Sequence, residues 1–120
     1  MDQAMPSKRV LVVEDEPLVA MLVEDLLEDF GCTTVASVGT AGEAEYLARD
    51  IVIDFALLDV NLGDEMSFGV ADALSLRGVP FAFLTGYGVQ GLRADLRETL
   101  IIHKPINPSL LREAIRALSP

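Results

Sequence analysis

Residues 53–65 read IDFALLDVNLGDE. Phe55, Ala56, Leu57 and Leu58 make a short apolar run closed by Asp59, and a polar, glycine-containing stretch follows. A run this short suits a strand buried on both faces, as in a parallel sheet covered by helices. Asp59 then stands at the carboxyl end of that strand, where open α/β sheets bind their ligands. A carboxylate there is a nucleophile, a metal ligand or a turn former, and the rest of the chain has to choose among the three.

Upstream, Lys8–Val13 (KRVLVV) is a β-branched apolar run read as the first strand, and it ends in Glu14-Asp15-Glu16-Pro17. Pro17 suits the first turn of a helix, where its missing N–H costs nothing. Leu18–Phe30 continues that helix and Gly31 marks its stop. The acids Glu24, Asp25, Glu28 and Asp29 mark the solvent side of its later turns, whereas Leu18–Val23 is apolar nearly all round, more than one core face requires. Cys32–Ser37 reads as the second strand, and Thr40-Ala41-Gly42-Glu43 matches a capping box for a helix reaching about Arg49.

Downstream of Asp59, a helix is expected over Ser67–Arg77, closed by Gly78, and then a fourth strand over Pro80–Leu84 ending in Thr85. A loop with Gly86, Gly88 and Gly91 leads to a short helix expected around Leu92–Glu98. Leu100–Ile102 is the last strand, followed by His103-Lys104-Pro105. Asn107-Pro108 supplies a cap and a first-turn proline for a final helix with Leu111, Ala114, Ile115 and Leu118 at helical spacing. Five β–α units with short connections imply a doubly wound parallel sheet with helices on both faces and right-handed crossovers.

The bulk numbers agree with one domain, residues 1–120 with its core over about 8–118. The chain is 51% apolar and 23% charged, a globular composition. Nineteen acidic against nine basic residues give a net charge of −10, which argues against nucleic acid as a partner. Leu18–Val23 is too short to span a bilayer, and Met1–Lys8 is polar without a hydrophobic signal region. Cys32 is the only cysteine, which fits a reducing cytoplasm and a small core residue.

In a parallel sheet every strand exit lies on one edge. Glu14 and Asp15 end the first strand, Asp59 the third, Thr85 the fourth and Lys104 follows the fifth. Crowded carboxylates repel and raise one another's pKa unless a cation compensates. Mg²⁺, a hard ion that takes one or two carboxylates, waters and a phosphoryl oxygen, meets that need. Asp59 can then act as a nucleophile toward phosphorus, with Thr85 and Lys104 sharing the charge that develops on the equatorial oxygens.

With these residues in view, the sequence resembles the response-regulator receiver domains of two-component signalling. The carriers are VVEDE at 12–16, LLDVNL at 57–62, FLTG at 83–86 and KP at 104–105, and the match runs from Lys8 to Leu118. The resemblance implies a flavodoxin-like (βα)5 fold with a five-stranded sheet in the order 2-1-3-4-5. It implies Mg²⁺ held by Glu14, Asp15, Asp59 and the backbone carbonyl of Asn61. It also implies phosphoryl acceptance by Asp59, phosphoryl contacts from Thr85 and Lys104, and a cis peptide before Pro105. The implied donor is a histidine kinase or histidine phosphotransfer protein, and the chain is otherwise no enzyme: it catalyses only its own phosphorylation and dephosphorylation.

Two departures from the family pattern stand out. Leu62-Gly63-Asp64 replaces the proline usual in the acceptor loop, and Ile101 stands where an aromatic switch residue is usual. The aromatic is instead Tyr87, as in the partly stand-alone receiver subgroup with a Phe-Ala-Thr-Gly-hydrophobic-Tyr run, here matched only in part. Switching is therefore expected through Thr85, Gly86 and Tyr87. Docking of the histidine-bearing partner is expected on the exposed members of Leu18–Val23, Leu18 and Met21 among them. With no output domain after the final helix, a cytoplasmic monomer or weak dimer would signal to a downstream protein by contact, or act as a phosphate relay or sink.

Three rivals compete with this reading. Gly86-Tyr87-Gly88-Val89-Gln90-Gly91 fits the GxGxxG dinucleotide fingerprint, but His103, Lys104 and Asn107 stand where an acid is needed to hold a ribose. An aspartate-nucleophile phosphatase resembles Asp-x-Asp, and Asp59-Val60-Asn61 has an amide in the second place. A phosphorylation-independent adaptor of the same fold is the third.

Overall fold

The computed structural model describes residues 7–119, with the backbone alone at Val89. The polar stretch Met1–Pro6, part of the segment read as lacking a signal region, lies outside the described residues. The main chain alternates β1 (Arg9–Val13), α1 (Pro17–Asp29), β2 (Thr33–Val38), α2 (Ala41–Asp50) and β3 (Phe55–Asp59). A two-stranded ribbon follows, β4 (Asn61–Leu62) with β5 (Glu65–Met66), and then α3 (Phe68–Leu76) and β6 (Phe81–Thr85). β7 (Ile101–His103) and α4 (Pro108–Leu118) complete it.

The sheet runs β2-β1-β3-β6-β7, all parallel, which is the order 2-1-3-4-5 once the small ribbon is set aside. β3 lies at its centre, every residue buried, because Phe55–Leu58 present apolar side chains to both faces. One face packs Leu11, Val13, Ala56, Leu58 and Phe83 against α2 and α3. The other packs Val10, Val12, Phe55, Leu57 and Leu84 against α1 and α4, and Cys32 is buried with them. Burial pushes the Cys32 thiol above its usual pKa, so it stays protonated and packs as a small apolar group.

Local signals act where the chain places them. Pro17 starts α1, and Gly31, at φ 86°, follows its end in the left-handed region that suits glycine. The Thr40 hydroxyl oxygen accepts from the Glu43 N–H at 3.3 Å, and the Asn107 side chain accepts from the Leu110 N–H at 3.1 Å. Arg77 closes α2 from a distance, donating to the carbonyls of Ala48 and Ile51 at 2.7 and 2.8 Å.

Two expectations need correction. The segment expected to be a short helix over Leu92–Glu98 instead holds a single 3₁₀ turn, Ala94–Leu96, after another at Gly88–Gly91, so that among the described residues four α-helices flank the sheet. It is nonetheless anchored, with Leu92 and Leu96 both buried. The ribbon β4–β5, unforeseen from the sequence, turns at Gly63 with φ 72°, in the place of the proline usual in that loop. Among the described residues, no helix is long and apolar enough to cross a membrane.

Candidate functional site

The carboxyl ends of β1, β3 and β6 and the chain just beyond β7 open into a cleft of about 570 Å³. Asp15, Glu16, Asp59, Asn61, Thr85 and Lys104 line it, and Met66 and Tyr87 stand at its rim. The backbone holds the exits in register. The Glu14 N–H donates to Val38 O on one side of β1, the Val60 N–H to Leu84 O, and the Lys104 N–H to Thr85 O at 2.9 Å. Ser67, fully buried, ties the loop after β3 to α3, its N–H and hydroxyl both reaching Val60 O at 3.0 and 3.4 Å.

Lys104 is the hub. Its ammonium lies 2.8 Å from Glu14 Oε1, 3.2 Å from Glu16 Oε1 and 3.4 Å from Asp59 Oδ2. Burial alone would lower the Lys104 pKa, but its close ion pair with Glu14 and its attraction to Asp59 outweigh that and hold it above the usual lysine value. Asp59 is 6% exposed, and its pKa is pushed up to about 7, first by burial and then by the charge of Glu14. Lys104 and the Asn61 N–H, 3.4 Å from Asp59 Oδ1, pull the other way without prevailing.

Glu14 is 4% exposed, and its Oε2 accepts from the Glu16 N–H at 3.1 Å. Its Oε1, although close to the lysine charge, has no hydrogen-bond partner of acceptable geometry. The Lys104 ammonium compensates that oxygen's charge but is shared with Glu16 and Asp59, so one cation serves several carboxylates. Ligand oxygens of Glu14, Asp15, Glu16 and Asp59 all lie within 4.8 Å of one another. An all-oxygen donor set of four carboxylates gathered beside a single ammonium leaves negative charge in excess and fits a hard divalent cation such as Mg²⁺. Asp15 faces solvent beside this cluster, as a ligand shared with water requires.

Thr85 is buried, and its hydroxyl oxygen accepts from the Tyr87 N–H at 3.0 Å, which fixes the first turn of the following loop. Tyr87 is 80% exposed. The Lys104–Pro105 peptide is cis. Leu18, Met21 and Leu22 are exposed on α1, which begins directly after the acidic cluster. The glycines of the GxGxxG run open 3₁₀ turns rather than the α-helix on which a dinucleotide phosphate would rest. Sequence reasoning passed over Glu16, whose only signal was a third consecutive acid. Ser67 was legible only as the start of a helix, not as a tie to Val60.

A five-stranded parallel sheet with a lysine-bridged acidic cleft at its carboxyl edge defines a class, and residues 10–116 match the response regulator receiver domain model. The chain belongs to the response regulator receiver family of two-component signalling. It is similar to SdrG from Sphingomonas melonis Fr1, at 40% identity and a TM-score of 0.84, over 96% of this chain and 98% of that one. The structure described as the BeF3-activated conformation of SdrG, from Pseudomonas melonis Fr1, gives 0.79 at 40% identity, over 95% and 98%. The polar-differentiation response regulator DivK of Brucella ovis is 30% identical over 92% of this chain and 95% of its own length. The phyllosphere-induced regulator PhyR of Methylorubrum extorquens is 33% identical over 83% of this chain, which spans only 39% of PhyR.

Proposed function

We propose that this receiver accepts a phosphoryl group on Asp59 from a histidine of a partner protein and passes the signal on by protein contact. The observation that carries the reading is the Asp59 carboxylate, held at the end of the central strand with one ammonium 3.4 Å away and a cation-ready acidic cluster beside it. In the reaction, an ionised Asp59 oxygen attacks phosphorus as the P–N bond to the donor imidazole breaks, the electron pair remaining on nitrogen. The Lys104 ammonium and the Thr85 hydroxyl meet charge on the transferring oxygens. Glu14, Asp15, Asp59 and the Asn61 carbonyl, with Glu16 adjoining, would hold Mg²⁺. When bound, the ion supplies positive charge that favours the ionised Asp59 and offsets that of the phosphoryl oxygens.

Thr85 would give up its turn with Tyr87 to reach the phosphoryl group, and the loop beginning at Gly86 would carry the change outward. The exposed Leu18 and Met21 suit contact with a histidine kinase or histidine phosphotransfer protein, since their helix starts directly after Asp15 and Glu16 of the cleft. The DivK and SdrG likenesses, which span nearly the whole of those chains, support a receiver acting as a unit over residues 8–118.

The test compares two donors. A phosphorylated histidine partner and a small phosphodonor should both label the protein in Mg²⁺, and neither should label Asp59→Asn. Labelling of that variant at the wild-type level would overturn the assignment.

A further inference from the structure

Between α2 and α3 lies a groove of about 380 Å³ that shares no lining residue with the Asp59 cleft. On α3 its wall is the stripe Gly69, Asp72, Ala73 and Leu76, spaced i, i+3, i+4 and i+7, and on α2 it is Glu45 and Arg49, about one turn apart. Gly69 is needed where it stands, because the Glu45 carboxylate lies across it, Oε2 being 2.5 Å from the point a Cβ would occupy. At the other end of the stripe Leu76 is 90% exposed, an apolar side chain that the fold itself does not cover. One face therefore carries both a floor of small residues and an uncovered leucine.

The charges lining the groove balance, Glu45 and Asp72 against Arg49 and Arg77, on a chain whose net charge is −10. Two of the four are already engaged within the chain. Arg93, which also grips Asp95, donates to Asp72 at 3.1 and 2.6 Å, and Arg77 donates to the carbonyls that close α2. Glu45 and Arg49 make no ion pair with any described residue. They complement a surface that offers a base and an acid one helical turn apart in the reverse order, and a second copy of this chain turned end for end offers that. Over most of its surface so acidic a chain repels its own copy; a groove lined by as many bases as acids does not.

The helix directions fit. α2 and α3 run the same way, since Glu45 meets Gly69 near their starts and Arg77 reaches Ala48 and Ile51 near their ends. A two-fold axis crossing both helices midway between Glu45 and Arg49 sets each of these against the other in the second copy. The same operation carries Leu76 of each copy to the Gly69 end of the other's groove. Such an isologous contact is self-complementary.

We propose that the α2–α3 groove is a self-association surface on which a second copy of this chain docks antiparallel. Glu45 turns to the copy's Arg49, and the copy's Leu76 enters the groove over Gly69 and Ala73. The face is small, so the dimer is weak, with a Kd of about 0.1–1 mM. The inference goes beyond the phosphoacceptor reading and uses none of its residues.

Sedimentation equilibrium of the full chain from about 0.02 to 2 mM, a span that brackets that affinity, tests it. Neither Mg²⁺ nor a phosphodonor is present, so the outcome is independent of whether Asp59 accepts phosphate. Leu76→Glu and Arg49→Glu should each weaken the dimer at least about tenfold, the first by placing a charge in the groove and the second by setting like charges face to face. Both residues are exposed, so neither substitution touches the core. Arg49→Glu combined with Glu45→Arg restores the pairs with their signs exchanged and should return the dimer to within about threefold of wild type. A chain that stays monomeric at about 2 mM would overturn the second copy as occupant and leave the groove to another protein. A dimer that both single variants leave intact, or a double variant as weak as Arg49→Glu alone, would overturn this face as the interface.

Discussion

Replacing Asp59 with asparagine should make the protein more stable at neutral pH. A free aspartate titrates near 3.8, whereas Asp59 in the folded chain is pushed up to about 7. Between those values the native state keeps a proton that the unfolded chain has released, so stability falls as pH rises from about 4 to 7. At about 1.36 kcal/mol per pH unit the full gap corresponds to roughly 4 kcal/mol, an upper bound. Water in the open cleft screens the charges, and asparagine also gives up the Lys104 contact, so a net gain of about 1–2 kcal/mol is expected. For a domain of this size that is a rise in melting temperature on the order of 3–8 °C. Urea unfolding of both proteins from about pH 4.5 to 8 measures it. Wild type should weaken across the range and Asp59→Asn should weaken less, the two curves converging at the acidic end. The pairs of Asp72 and Asp95 with Arg93 act in the opposite sense and are lost only as pH falls through their depressed pKa values, outside this window. A variant no more stable than wild type at pH 7.5, or parallel curves, would refute the charge-crowding argument.

Millimolar Mg²⁺ should raise the melting temperature of wild type, by mass action on the folded state, and Asp15→Asn should blunt the rise; a flat titration of wild type would count against the cation site. Lys104→Ala strips Glu14 and Asp59 of their shared counter-charge and should cost about 2–4 kcal/mol in urea unfolding, with Mg²⁺ recovering part of it. Met21→Glu should slow phosphotransfer from a histidine-bearing partner at least about tenfold while leaving labelling by a small phosphodonor unchanged; equal loss in both assays would point to folding damage instead. Amide exchange over residues 86–98 should slow when BeF3⁻ and Mg²⁺ occupy the site, and unchanged protection would remove Thr85 and its loop from the switching mechanism.

Much of the fold was legible because its signals are local and mutually consistent. Short β-branched runs such as Lys8–Val13 alternate with helical spacing, and Pro17, Thr40 and Asn107 mark helix starts with side chains that act within their own turn. The grouping of Glu14, Asp59, Thr85 and Lys104 was legible for a topological reason: parallel strands bring all their exits to one edge, whatever the distance in sequence. What escaped depends on partners far along the chain. The stretch after Gly91 has helical spacing, yet only Ala94–Leu96 coils, in a single 3₁₀ turn, while the Arg93 side chain reaches Asp72 on another element. The ribbon of β4 and β5 has two residues per strand, too few for any periodicity to show. Glu16 looked like one more surface acid, and its place against Lys104 follows from the turn at Glu14, not from its own neighbours.

The central claim is that Asp59 receives the phosphoryl group, and the most direct measurement is residue-level mapping of the label by mass spectrometry after incubation with acetyl phosphate. The account predicts a single acid-labile acyl phosphate on Asp59, formed with Mg²⁺, suppressed by chelation and missing from Asp59→Asn. A modification at another residue, or label that survives in Asp59→Asn at the wild-type level, would contradict it.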